Sequence, residues 1–213
     1  NPDIRGTSTF DFDETLIIDG KNFVIATNPN TGKEIKISSG NWPIQGPALA
    51  EQGYTFNFDD FVNVRGGVEG PLFQKLVNRI KKFGPKNNFV LTARPQEAAV
   101  AIHGWLKSKG VNIPLENITG LANSTGAAKA QWMMDKFAEG YNDMYFVDDA
   151  LPNVEAVKEV IDQLDIKGSS VQAKLEEVGK IVKTDGDAMM SKVEDSGKDP
   201  IDVEFNEMLE RKS

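Results

Sequence analysis

The stretch FDFDETLI, residues 10–17, places Asp11 and Asp13 on either side of one phenylalanine, at the end of a short strand-like run. That run, residues 6–12, predicts a buried strand with the two aspartates at its carboxyl end. Neighbouring carboxylates at such a place repel each other and lose solvation, which costs free energy unless a cation compensates. The stretch therefore predicts a cation site at the end of the first strand.

Further apolar runs, bounded by turn residues, occur at residues 88–92, 117–121 and 144–147. They predict strands that are buried on both faces, as in a parallel sheet. Helical patterns lie between them at residues 71–83, 95–109, 125–138 and 152–164. This alternation predicts an α/β fold, a Rossmann-like doubly wound parallel sheet, which binds ligands at the carboxyl ends of its strands.

Two segments depart from the alternation. Residues 18–70 contain two strand-like runs about the turn NPNTGK, residues 28–33, which predicts a β-hairpin that folds over the strand ends as a flap or small cap. Acidic residues outnumber basic ones in residues 172–213. We expect a main domain over residues 1–171, followed by a partly helical tail. An amphipathic helix at residues 200–209 would serve self-association or a protein partner.

Composition limits the classes of function. The 213 residues are 39% hydrophobic, enough for one good core, and the formal net charge of -8 argues against general affinity for nucleic-acid backbone or anionic membrane. The sequence has no cysteine and no apolar run long enough to span a membrane. We expect a cytoplasmic protein. The start at Asn1 rather than Met favours a processed product or a segment of a longer polypeptide.

Further polar residues follow the other predicted strands. Thr92 closes the second apolar run, Arg94 comes two residues later, and Asp148 and Asp149 close the run at residues 144–147. Lys129 lies in the first turns of the helix predicted at residues 125–138. Parallel strands end at one edge of a sheet, so these side chains are expected near the first aspartate pair. Carboxylates are hard oxygen ligands of the kind that Mg²⁺ prefers, which predicts Mg²⁺ as the cofactor.

The order DxDxT, Thr92, Lys129 and the DD pair resembles the four motifs of the haloacid dehalogenase (HAD) superfamily of phosphohydrolases, over about residues 7–171. Glu14 departs from the glycine that is common at its position. The resemblance implies that Asp11 is the nucleophile that forms an aspartyl-phosphate. It also implies that Asp13 protonates the leaving oxygen and then activates water.

The same resemblance implies a ligand set for Mg²⁺: Asp148, Asp11 and the main-chain carbonyl of Asp13, with Asp149 as a further ligand or as support. Thr92 and Lys129 would hold the transferring phosphate, by a hydroxyl and by a point charge. For two residues the sequence leaves alternatives open. Arg94 either contacts substrate or caps a helix, and Asn153 either orients the acidic pair or begins a helix.

The size of a HAD cap sets which substrates are admitted. Residues 93–128 leave no room for a large cap, so we expect an open site that suits a polynucleotide end, a nucleotide or a phosphoprotein. The chain also resembles HAD domains encoded by bacteriophages, for which a virion association would be expected. Two hypotheses follow: a Mg²⁺-dependent phosphatase, or a binding or structural module of a larger, phage-type assembly with little or no catalysis.

Overall fold

A computed structural model of the protein describes residues 3–173. The helix predicted at residues 200–209, and the tail beyond residue 173, lie outside the described residues. No helix within the described part of the chain is long and apolar enough to cross a membrane.

The described residues form ten strands and five α-helices, numbered in chain order. The strands are β1 (Gly6–Phe10), β2 (Ile17–Gly20), β3 (Phe23–Thr27), β4 (Glu34–Ser38), β5 (Thr55–Asn57), β6 (Gly66–Glu69), β7 (Asn88–Thr92), β8 (Ile118–Gly120), β9 (Asp143–Asp148) and β10 (Lys167–Gln172). The helices are α1 (Trp42–Glu51), α2 (Phe73–Phe83), α3 (Ala99–Ser108), α4 (Gly126–Ala138) and α5 (Leu151–Leu164).

Five strands form a parallel sheet in the order β10-β9-β1-β7-β8. From β1 the chain moves outward through β7 to β8, then returns to the other side of β1 for β9 and β10. The strand order therefore reverses between β1 and β9. In open α/β sheets such a reversal creates a crevice at the carboxyl ends of the strands. The predicted α/β fold with a parallel sheet is confirmed.

Helices cover both faces of this sheet, which explains why β7 and β9 have consecutive buried residues without alternation. Val90 of β7 packs with Leu76 of α2 and Ile102 of α3, whereas its neighbour Leu91 packs on the other face with Met133 of α4. Strand β1 ends at Phe10, two residues earlier than predicted, because Asp11 already belongs to the loop that carries the acidic residues. Strand β10 was not predicted from the sequence.

An insertion, defined here as residues 17–69, lies between β1 and α2. Its two ends, β2 and β6, pair antiparallel as a two-stranded stalk. The predicted hairpin is present as β3 and β4, and β5 adds a third strand on the other edge of β3. The insertion has an apolar core of its own, with Val24, Ala26, Ile37 and Phe61 buried. It is therefore larger than the hairpin that the sequence predicts.

The insertion returns to the sheet through a close backbone contact at Gly70. A β-carbon at this position would lie 2.6 Å from the main-chain oxygen of Thr15. The Gly70 N–H also donates to the main-chain oxygen of Leu16 at 2.7 Å. A glycine is required here because any side chain would push the returning chain away from the loop that follows Asp11.

We expect Gly70→Ala and Gly104→Ala to change stability in opposite directions. The first places a methyl group against backbone and should lower the free energy of unfolding by about 1–3 kcal/mol. Gly104 lies exposed in the interior of α3 with nothing near its missing β-carbon, so alanine there should add about 1 kcal/mol. Urea unfolding measures both. Equal effects of the two substitutions would contradict the close contact at Gly70.

Candidate functional site

Three carboxylates meet at the point where the strand order reverses. Asp11 follows β1, Asp148 is the last residue of the neighbouring strand β9, and Asp149 follows it. The parallel register aligns Phe10 with Val147, so the next residues along the two strands, Asp11 and Asp148, lie side by side. One oxygen from each of Asp11, Asp148 and Asp149 lies within 4.8 Å of the others. The structure thus brings together three of the acidic residues that the sequence predicts.

Lys129 lies between two of these carboxylates. Its Nζ donates to Oδ1 of Asp11 at 2.8 Å and to Oδ2 of Asp148 at 2.6 Å, and the whole side chain is buried. Burial alone would lower the pKa of Lys129, but the two carboxylates outweigh it and the pKa is raised. Lys129 is therefore a permanent cation of the site.

The start of α4 sets the position of Lys129. The Thr125 hydroxyl accepts a hydrogen bond from the Ala128 N–H and caps the helix. Gly126 allows a close approach to α5, since a β-carbon there would lie 2.9 Å from the main-chain oxygen of Pro152. The first turn of α4 is thereby held against α5, and the long lysine side chain reaches the strand ends.

Further hydrogen bonds fix the orientation of the carboxylates. The Asn153 side chain donates to Oδ2 of Asp148 at 3.1 Å, and the Ala150 N–H donates to Oδ1 at 2.9 Å. The Thr15 hydroxyl donates to Oδ2 of Asp11 at 3.3 Å. Asn153 therefore contacts Asp148 of the acidic pair and also lies in the first turn of α5, so both alternatives for this residue are observed.

The site is short of positive charge among the described residues. Burial, followed by the charge of Asp148, raises the pKa of Asp11 to about 6, against the opposing effect of Lys129. Burial, the charge of Asp11 and a hydrogen bond to it raise the pKa of Asp149 well above its usual range. With all three carboxylates ionised and one lysine, the cluster carries two net negative charges. Hard oxygen donors with that charge fit Mg²⁺.

The Asp13 carboxylate is not part of this cluster. Both of its oxygens accept hydrogen bonds from Arg94, at 2.7 and 2.8 Å. Of the oxygen atoms of Asp13, only the main-chain carbonyl therefore remains as a candidate metal ligand. This is the atom that the resemblance implies. Thr92, at the carboxyl end of β7, is buried, and its hydroxyl accepts a hydrogen bond from the Arg94 N–H at 3.1 Å.

Sequence reasoning missed the contribution of the insertion. The Ser39 hydroxyl, just after β4, donates to Oε1 of Glu14 at 2.8 Å. Glu14 adopts a left-handed conformation with φ of 61°. Main-chain carbonyls of Phe61 and Asn63 accept hydrogen bonds from Arg94. No sequence pattern signals these contacts, because main-chain acceptors leave no residue signature.

Comparisons with protein-family models, with curated proteins and with solved structures found no match to this chain. A functional interpretation therefore depends on the geometry and charge of the site itself.

The raised pKa values predict that stability falls with rising pH when divalent cations are chelated. Asp11 and Asp149 hold more protons in the folded than in the unfolded state, so their contribution to the free energy of unfolding decreases as the pH rises from about 4 to 7. Asp149→Asn should flatten this slope and stabilise the metal-free protein at pH 7 by roughly 1–3 kcal/mol. Urea unfolding in EDTA across that range measures the difference. The same pH dependence of the free energy of unfolding in the parent and in Asp149→Asn would contradict a raised pKa of Asp149.

Proposed function

We propose that the protein is a Mg²⁺-dependent phosphomonoester hydrolase of the HAD type that acts through an aspartyl-phosphate on Asp11. The observation that carries the proposal is the convergence of Asp11, Asp148, Asp149 and Lys129 at the carboxyl ends of adjacent parallel strands. Further support comes from the order of these residues along the chain, which resembles the HAD motifs.

Asp11 would attack the phosphorus atom of the substrate. Its two oxygens are oriented by Lys129 and by Thr15, so little freedom remains to be lost when substrate binds. A bond forms between an Asp11 oxygen and phosphorus, the bond from phosphorus to the leaving oxygen breaks, and Asp13 supplies the proton that this oxygen needs. Water then attacks the same phosphorus, its proton passes to Asp13, and the Asp11 carboxylate is restored.

The same residues would hold the metal and the phosphate. Asp11, Asp148 and Asp149 are the carboxylates for Mg²⁺, which when bound neutralises charge on the transferring phosphoryl group. Lys129 has three N–H donors, and two of them are directed at Asp11 and Asp148. The third is available for a phosphate oxygen. The Thr92 hydroxyl would be a second donor to that group.

The substrate class follows from what covers the site. Between Thr92 and Lys129 the chain contains α3, β8 and short 3₁₀ turns, with no cap domain. The insertion after β1 is the only additional folded unit near the strand ends within residues 3–173. We infer a site that admits a bulky phosphomonoester, such as a polynucleotide end, a nucleotide or a phosphoprotein segment.

Hydrolysis of para-nitrophenyl phosphate in Mg²⁺ should depend on Asp11. Asp11→Asn keeps the shape of the side chain and removes the anionic nucleophile, so kcat should fall by roughly a thousandfold or more. The control is Asp135→Asn, on the exposed side of α4, which should leave kcat unchanged.

Equal kcat values for Asp11→Asn and the parent would mean that the hydrolysis occurs at another site. A parent that binds Mg²⁺ but hydrolyses no member of a panel of phosphorylated nucleotides, oligonucleotides, sugars and peptides would favour the alternative, a binding module.

Binding of Mg²⁺ should release protons, because burial and the neighbouring carboxylates raise the pKa of Asp149 in the metal-free site, and a bound cation opposes that shift. Titration calorimetry in buffers of different ionisation enthalpy measures this release directly. Asp148→Asn should weaken binding by roughly tenfold or more. A substitution of the exposed Asp162 by asparagine on α5 serves as the control. Tight binding by Asp148→Asn would mean that the metal lies elsewhere.

A further inference from the structure

The Arg94 guanidinium is enclosed between the loop that carries Asp13 and the insertion. Its Nε and Nη2 donate to the two carboxylate oxygens of Asp13, and Nη2 also donates to Oδ1 of Asn22 at 3.4 Å. Its Nη1 donates to the main-chain oxygens of Phe61 and Asn63. These five contacts account for all five N–H donors of an arginine.

Aromatic rings complete the enclosure. The guanidinium carbon lies 5.3 Å from the ring centroid of Phe12 and 4.9 Å from that of Phe61. Phe12 belongs to the loop between Asp11 and Asp13, whereas Phe61 belongs to the insertion. Only 4% of the Arg94 side chain is exposed. Arg94 in this arrangement has no donor left for a substrate phosphate, so its role differs from the substrate contact considered from the sequence.

The arrangement restricts Asp13. A carboxylate whose two oxygens both accept hydrogen bonds from one guanidinium is held in a single orientation. To protonate a leaving oxygen, Asp13 has to turn at least one oxygen away from Arg94. Arg94 is itself held by carbonyls of the insertion, so the positions of the insertion and of Asp13 depend on each other.

We propose that Arg94 is a positioning residue that couples the insertion to Asp13. Contacts with Asn22, Phe61 and Asn63 fix the guanidinium, and the guanidinium fixes the orientation of the Asp13 carboxylate. The role of Asp13 as the proton donor rests on the proposed function, whereas the mechanical coupling does not.

Amide hydrogen exchange tests the coupling without any requirement for activity. In the loop after Asp11, the amides of Thr15 and Leu16 donate to the main-chain oxygen of Phe12, and in the insertion the amides of Phe61 and Asn63 are also bonded. Arg94→Lys keeps the positive charge but removes the planar guanidinium that contacts both carboxylate oxygens of Asp13. Hydrogen exchange at both pairs of amides should therefore accelerate by about tenfold.

Asp13→Asn provides the reciprocal test, because coupling acts in both directions. It leaves Arg94 in place, removes one acceptor oxygen, and should accelerate exchange at Phe61 and Asn63. The matched control is Arg65→Lys, which weakens the exposed ion pair with Asp60 inside the insertion and should leave Thr15 and Leu16 unchanged. Faster exchange in only one of the two segments in Arg94→Lys, or unchanged exchange at Phe61 and Asn63 in Asp13→Asn, would overturn the coupling. Should Arg94→Lys fail to fold, Asp13→Asn decides alone.

Leaving-group dependence tests the consequence for catalysis. Phosphate esters of alkyl alcohols need a proton on the leaving oxygen more than para-nitrophenyl phosphate does. Arg94→Lys should therefore reduce kcat/KM for an alkyl phosphate about tenfold more than for para-nitrophenyl phosphate, while Arg65→Lys leaves the ratio unchanged. Equal losses on both substrates would overturn the positioning role. If the parent protein hydrolyses neither ester, the proposed function is wrong. Amide hydrogen exchange would still test the coupling between the insertion and Asp13.

Discussion

The buried ion pairs of Lys129 with Asp11 and Asp148 are the interaction on which the site depends. They connect β1, β9 and the first turn of α4 at the point where the strand order reverses. Removing one partner of a buried pair typically costs about 3–5 kcal/mol, because a charge is left without compensation. One lysine cannot neutralise three carboxylates, and the charge that remains is what makes a divalent cation fit the site.

The two aspartates that flank Phe12 have separate partners, although only one residue separates them in the sequence. Asp11 faces Lys129 and the acidic pair of β9, whereas Asp13 faces Arg94 and the insertion. A nucleophile has to stay fixed relative to the phosphate, and an acid has to approach the leaving group. The proposed chemistry needs this division, and the two buried cations provide it, since Lys129 pairs with Asp11 and Arg94 pairs with Asp13.

Sequence patterns predict those parts of the structure that depend on residues close together in the chain. The apolar run at residues 88–92 coincides with β7, because a strand that is buried on both faces has apolar residues at consecutive positions. Strand β10, with the sequence KGSSVQ, forms through its pairing with β9 and has only one large apolar residue, Val171. The acidic cluster follows from the rule that parallel strands end at one edge, and Lys129 follows from its place in the motif order. The Asp13–Arg94 pair does not, since it joins residues 81 positions apart through the orientation of two side chains.

A covalent intermediate on Asp11 is the central claim, and chemical trapping tests it most directly. The protein is mixed with a phosphorylated substrate and Mg²⁺, quenched in acid within a turnover, and treated with borohydride, which reduces an acyl phosphate to an alcohol. Mass spectrometry of the peptide that contains residues 10–17 should then find homoserine at position 11. With para-nitrophenyl phosphate, whose leaving oxygen needs little protonation, Asp13→Asn should contain more of it, because the attack of water on the intermediate loses its base. Turnover of substrate with Asp11 never modified, or with the modification at another carboxylate, would contradict the assignment of Asp11 as the nucleophile.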